Sequence, residues 1–197
     1  AAPLFGMLPE MESGQRVIVA SNGVFVQVKR DWLACVERVG GTDAALPLPY
    51  GTITPSVWFT FGTIPIALLD AFIAAGRAGL PNEIAGGLIY SAQRAALRLA
   101  IYEPLHSTAH GIEYRMPPLD RDESIAVDLH THGRLPAFWS GTDDMDDRSV
   151  KVAGVFGNLD REQPSAAFRL VLNGMYRPLA HPWQAAAAQP VESNESW

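Results

Sequence analysis

The chain has 197 residues, of which 48% are hydrophobic, and a mean hydropathy of +0.04, enough apolar material for one substantial domain with an elaborated flank. That excludes disorder of the whole chain, because apolar burial of this extent offsets the entropy of ordering. Fifteen Lys and Arg against twenty-one Asp and Glu give a net charge of -6, which argues against a protein that wraps a phosphate backbone. A single cysteine, Cys35, excludes an internal disulfide. No apolar run approaches the roughly 20 residues that span a bilayer. The opening AAPLFGMLPE lacks the basic stretch and apolar core of a secretory signal, so a soluble, cytoplasmic, reducing setting is expected.

In chain order, Arg16 to Ala20 and Val24 to Val28 are β-branched or aromatic runs around Ser21, Asn22 and Gly23, which predicts a strand, an Asn-Gly turn and a second strand. DWLACVERV at 31–39 is read as a short helix capped by Asp31, with Leu33 and Val36 on one side and Gly40 and Gly41 ending it. Ala44 to Pro55 is rich in Pro, Gly and Thr and reads as linker. The expected organisation is therefore an N-terminal strand and helix extension over 1–55, a main domain over 56–183 and a mobile tail over 184–197.

VWFTF at 57–61 is a strand candidate. In the following IPIALLDAFIAAGRAG, Leu69, Phe72, Ile73 and Gly76 recur at helical spacing, and Pro81 stops the helix near Gly79. EIAGGLIYS reads as a buried strand, and further strands are predicted at Ala96 to Ile101, Ser124 to Asp128, Val150 to Phe156 and Phe168 to Leu172. One main helix against several strands is an α+β pattern, close to a three-layer α/β/α arrangement with a mixed central sheet. NGVFVQ and AGGLIY lack the glycine spacing of a phosphate loop.

The chemistry-bearing stretch is ESIAVDLHTHGRLPAFWSGTDDMDD at 123–147. Ile125, Val127 and Leu129 alternate with Asp128, His130 and His132, so a strand here projects both imidazoles from one face. Asp143, eleven residues past His132, can return through a turn as an oxygen ligand and leave a fourth tetrahedral position for water. Two neutral imidazoles and a carboxylate suit zinc. An isolated His-x-His also arises on any half-exposed strand, and the acidic run Asp143 to Asp147 also reads as a solvated turn. Calcium suits clustered carboxylates, but the run lacks the 12-position loop that ends in a bidentate Glu. Asp128 shares the histidine face and is a candidate partner for a ring N–H. Ser140, before Gly141, Thr142 and Asp143, also fits a helix cap.

His130, His132, Ser140 and Asp143 fit the pattern His-x-His, seven residues, Ser, two residues, Asp, and Pro81, Glu83 and Gly86 fit Pro-x-Glu-x-x-Gly after a helix. Together these resemble the JAMM or MPN-plus zinc metalloproteases over roughly residues 56–180. NGVFV, the HTH to DDMDD block and GNLD are similar to a plasmid-associated bacterial subgroup called PRTRC system protein A. The resemblance implies that His130, His132 and Asp143 hold Zn2+, that Glu83 serves as general base and then general acid, and that Ser140 supports the oxyanion. It further implies a metallopeptidase or isopeptidase acting near a protein C-terminal tail, with ubiquitin-like proteins among the substrates. The acidic composition and the lack of a bilayer-length apolar run give no reason to expect a direct nucleic-acid or membrane partner. A metal-binding interaction module with partner-dependent activity is the alternative. A small-molecule zinc deaminase is disfavoured, since with Cys35 alone the usual Cys-x-x-Cys ligand pair cannot form.

Among the remaining candidates, His106 and His110 in PLHSTAHG read as loop or rim residues, and His181 has no recognisable partner. Cys35 reads as a small core residue, and Trp139 as either packing or an aromatic rim for a peptide.

Overall fold

A computed structural model describes residues 1–41 and 48–181. The expected C-terminal tail lies outside these residues, as does part of the expected linker. The chain divides into two compact units, residues 1–62 and 63 onward.

In the first unit four antiparallel strands run in sequence order: β1 (Gly14–Ala20), β2 (Gly23–Arg30), β3 (Leu33–Gly40) and β4 (Ser56–Phe59). The β1–β2 connection is a tight turn where one is predicted, but Ser21 and Asn22 form it and Gly23 already begins β2 opposite Ala20. Asn22 also clamps a distant segment, donating to the Ile53 carbonyl at 2.8 Å and accepting from its amide at 3.0 Å. Ala2, Ile18, Ala20 and Phe25 form a core against which Leu8, Val36 and Ile53 pack.

The helix expected over 31–39 is a strand instead. Cys35 pairs with Val28 of β2 on one side and Val57 of β4 on the other. A segment hydrogen-bonded along both edges gains a full ladder that no short isolated helix could match. Its buried Leu33 and Cys35 flank an exposed Ala34, which is strand periodicity. By pairing with β3, β4 joins the first unit.

The second unit holds a six-stranded mixed sheet in the order β12-β11-β10-β9-β5-β6. Its strands are β5 (Ala85–Ser91), β6 (Ala96–Ile101), β9 (Glu123–Thr131), β10 (Val150–Gly157), β11 (Ser165–Leu172) and β12 (Met175–Leu179). β9 runs antiparallel to β5 and parallel to β10, so it is hydrogen-bonded on both edges. Val127 and Leu129 are buried, and each fully buried aliphatic side chain contributes about 1.5–3 kcal/mol. The predicted helix is α1 (Ile66–Gly79), and its buried face is the expected Leu69, Phe72, Ile73 and Gly76. Gly76 permits close approach: a Cβ there would lie 2.7 Å from Leu159 Cδ1 and 3.1 Å from Thr131 Cγ2. Arg77 fastens the last turn of α1 by donating to the carbonyls of Leu159, Arg161 and Glu162 at 3.1, 2.8 and 2.9 Å.

Because α1 meets Thr131, the neighbouring His130 and His132 project from the opposite face of the sheet. On that face lies α2 (Gly141–Asp146), so the sheet is flanked by helices in the mixed α/β arrangement the sequence predicts. The segment around His106 and His110, expected as loop, is a hairpin of β7 (Glu103–Thr108) and β8 (Gly111–Arg115), with His110 in the turn. The Thr108 hydroxyl stabilises the turn by a local bond to the Gly111 carbonyl at 3.2 Å, and the Ser107 hydroxyl anchors the strand to the distant Glu83 carbonyl.

Candidate metal centre

β9 sets the two histidines by backbone alone. His130 lies opposite Ala85 of β5 and Val155 of β10, and the His132 amide continues the ladder by donating to the Phe156 carbonyl at 2.8 Å. The rings converge, with Nε2 of His130 3.2 Å from Nε2 of His132. Burial, reinforced by neighbouring His130 and opposed by Asp143, lowers the His132 pKa and favours the neutral ring that a metal ligand must be. The Phe138 ring lies edge-on to His132 with centroids 4.5 Å apart and covers it from solvent.

After His132 the chain crosses a tight loop that rests on bare backbone. A Cβ on Gly157 would collide with Leu135 and Pro136, so only glycine lets this loop lie so close. Ser140 then caps α2: its hydroxyl accepts from the Asp143 amide at 3.2 Å, while its own amide and hydroxyl both donate to Asp143 Oδ2 at 2.7 Å. This reciprocal capping box orients Asp143 so that Oδ1 lies 3.2 Å from His130 Nε2. Burial alone would raise the Asp143 pKa, but the His130 contact and both Ser140 donors outweigh it and hold this carboxyl well below the ordinary range.

The donor set fits a small divalent ion. Zinc bonds of about 2.0–2.2 Å imply ligand-to-ligand edges of about 3.4 Å in a tetrahedron. His130 Nε2 lies 3.2 Å from His132 Nε2 and 3.2 Å from Asp143 Oδ1, close to that edge, while the other carboxylate oxygen, Asp143 Oδ2, is 3.9 Å from His132 Nε2. The three ligand atoms all lie within 4.8 Å of one another. Two imidazoles and one carboxylate leave a tetrahedral position open.

Glu83 lies in the segment between α1 and β5 and lines the same cleft, of about 320 Å3, as His130, His132 and Asp143. Its peptide is held on both sides by the β7–β8 hairpin: its amide donates to the Thr108 carbonyl at 2.8 Å and its carbonyl accepts from the Ser107 hydroxyl at 2.7 Å. One residue on, Ile84 exchanges hydrogen bonds with Thr131 of β9, fixing the distance to the histidine strand. Glu83 is buried, and that burial pushes its carboxyl up to about 7, with His130 opposing and Asp143 adding to the rise.

Several expectations resolve differently. Asp128 does not meet a histidine ring; it accepts from Lys151 at 2.6 Å. Trp139 combines both expected places, packing with the Arg169 guanidinium 3.9 Å from its ring centre while also lining the cleft. His110 reaches the cleft wall, whereas His106 is exposed on β7 and His181 lies outside the cleft. Sequence reasoning missed Lys151 and Arg169. Lys151 pairs with Asp128 at 2.6 Å and Asp147 at 2.8 Å, and Arg169 with Asp144 at 2.6 Å and Asp147 at 2.7 Å. Each is a lone cation in an otherwise apolar strand, VKVAGVFG and SAAFRLVL, and that signal alone calls for a buried carboxylate partner.

A His-His-Asp cluster at the end of a central strand, with a helix-borne carboxylate as third ligand, defines a metal-binding domain of JAMM or MPN type. Residues 65–171 match the family of prokaryotic homologs of the JAB domain, over half of the chain, and the chain belongs to that family. Residues 1–60 match a domain of unknown function, DUF2016. No curated protein matches the chain. Among solved structures, protein DSY2949 from Desulfitobacterium hafniense is similar at a TM-score of 0.45 and 14% identity, covering 57% of this chain and 86% of that one.

Proposed function

We propose that this protein is a zinc-dependent metallopeptidase or isopeptidase that hydrolyses an amide bond near the C-terminal tail of a protein substrate, with ubiquitin-like proteins as the substrate class. The observation that carries this reading is the convergence of His130, His132 and Asp143 in a cleft that also holds the buried carboxyl of Glu83. Zinc held by these three residues would supply Lewis acidity, making water a nucleophile near neutral pH and polarising the scissile carbonyl.

The chain's own residues account for the proton traffic. A Glu83 carboxyl raised to about 7 takes a proton from water and gives one to the departing amine at little cost in either direction. Ser140 can donate its amide and its hydroxyl, and both face Asp143 Oδ2. Rotation of the hydroxyl toward a developing oxyanion leaves the amide bond to hold Asp143. Exposed Phe138 and Leu135 on the cleft wall offer apolar contact to an extended peptide.

The same reading extends to organisation and setting. We assign the second unit, from residue 63, as the catalytic region and the first unit, residues 1–62, as an extension that offers a partner surface, and we take the protein to act in the cytoplasm in a plasmid-associated role of the PRTRC system protein A kind. Among the described residues no helix is long and apolar enough to cross a membrane.

Elemental analysis of tag-free protein tests the site: near-stoichiometric zinc is expected in the wild type, lost in His130→Ala and in His132→Ala. In peptide and isopeptide cleavage assays, Glu83→Gln is expected to keep its metal and lose about 10²–10⁴-fold in turnover, the usual worth of a general acid–base group. Stoichiometric zinc without any cleavage by the wild type would favour a metal-binding interaction module, and zinc retained undiminished in both histidine variants would overturn the site.

A further inference from the structure

Helix α2 carries a metal ligand yet has no buried residue, and at Gly141–Asp146 it is too short to be stable alone. What holds it is a run of charges on the strands beneath. Arg169 of β11 is 4% exposed, with its guanidinium between the rings of Trp139 and Tyr176 at 3.9 and 4.0 Å. From there one nitrogen reaches Asp144 Oδ1 at 2.6 Å and two reach Asp147 Oδ2 at 3.0 and 2.7 Å. Asp144 directly follows the ligand Asp143, and the Asp147 amide donates to the Asp143 carbonyl at 2.9 Å. Tyr176, besides stacking on Arg169, donates its hydroxyl to the Asp144 carbonyl at 2.8 Å. Lys151 of β10 completes the attachment by bridging Asp147 at 2.8 Å and Asp128 of β9 at 2.6 Å.

We propose that Arg169 is the positioning residue for the metal centre: by gripping Asp144 and Asp147, it fixes the helix that presents Asp143 to His130 and His132. This rests on the metal-site reading above. A planar guanidinium suits the task, because its fork satisfies two carboxylates in one plane while both its faces stack on aromatics, which an ammonium cannot do.

The test is zinc affinity by chelator competition, together with the absorption spectrum of the cobalt-loaded protein, in wild type, Arg169→Gln, Arg169→Lys, Asp144→Asn, Asp143→Ala and the Asp143→Ala/Arg169→Gln double variant. Arg169→Gln is expected to weaken zinc binding by up to about 10-fold, the lower end of the loss that follows removal of a group bonded directly to a metal ligand, because Arg169 grips the neighbours of Asp143 and not Asp143 itself. Its cobalt spectrum should move toward that of Asp143→Ala. Arg169→Lys should recover part of the affinity, and Asp144→Asn, which removes an exposed partner and leaves Asp147 paired, should lose less than Arg169→Gln. The double variant should bind no more weakly than Asp143→Ala alone, because Arg169 acts through Asp143. Losses that multiply in the double variant, or wild-type affinity and spectrum in Arg169→Gln, would overturn the positioning role while leaving the metal site standing. Should Arg169→Gln not fold, unchanged affinity in both Arg169→Lys and Asp144→Asn would overturn it equally. A wild type that binds neither zinc nor cobalt would overturn the metal-site reading itself.

Discussion

The two halves of the metal centre are held in opposite ways. His130 and His132 sit at the end of β9, a strand laddered on both edges and anchored by buried Val127 and Leu129. Asp143 sits on α2, which buries nothing and is fixed by the Ser140 cap and by ion pairs from neighbouring strands. Apolar burial is undirected but strong in sum, so it fixes the sheet; charge-assisted hydrogen bonds are few but angular, so they fix one carboxylate. Stability and ligand geometry should therefore respond to different substitutions.

The largest effect expected separates them from the strand side. Leu129→Ala removes a buried side chain beside His130 and should cost about 2–5 kcal/mol of folding stability, read by denaturant unfolding. At low temperature, where the variant stays folded, its zinc affinity should remain near wild type, because the backbone ladder still sets the histidines. Ser140→Ala should do the reverse. Loss of a cap costs about 1 kcal/mol, but one of the two donors that orient Asp143 goes with it, so zinc affinity should fall while the unfolding midpoint moves little.

The far end of β9 gives a pH-dependent version of the same contrast. Glu123 is held by hydrogen bonds and charge from Arg98 and by Arg94, which lower its carboxyl from the ordinary 4.5 to about 2. A depressed carboxylate stabilises the fold above its unfolded pKa, and that contribution is lost as pH falls toward 2. Wild-type stability should thus decline between pH 4.5 and 2 more steeply than that of Glu123→Gln, as measured by denaturation across that range. The smallest effect is expected from Asp146→Asn. Asp146 lies on α2 between the paired acids but is exposed, and its loss should change stability by no more than about 0.5 kcal/mol. A large effect there would show that α2 is held by its overall charge and not by the specific bonds of Asp144 and Asp147.

Much of this was legible in the sequence where local pattern and tertiary role agree. The alternation through 125–132 reports a strand because one face packs a core, and the 69, 72, 73, 76 spacing reports a helix for the same reason. The Ser140 cap was legible because capping is a contact across three residues. The 31–39 segment misled because Leu33 and Val36 fit a helical period as readily as Leu33 and Cys35 fit a strand, and only the partners on both edges decide between them. The ion pairs of α2 escaped because they join residues up to 25 apart, Arg169 to Asp144, through sheet register that no local pattern encodes. The surplus of carboxylates in 143–147 was visible; their partners were not.

The parallel pairing of β9 with β10 has a topological consequence. Two neighbouring antiparallel strands can be joined by a tight hairpin, but a parallel neighbour obliges the chain to travel back the length of the sheet before it can re-enter. Residues 132–149 are that return journey, and they carry Phe138, Trp139, Ser140, Asp143 and Asp147. The excursion that connectivity demands is thus the stretch of chain on which the second half of the centre was written, and shortening it to a hairpin would erase the ligand along with the loop.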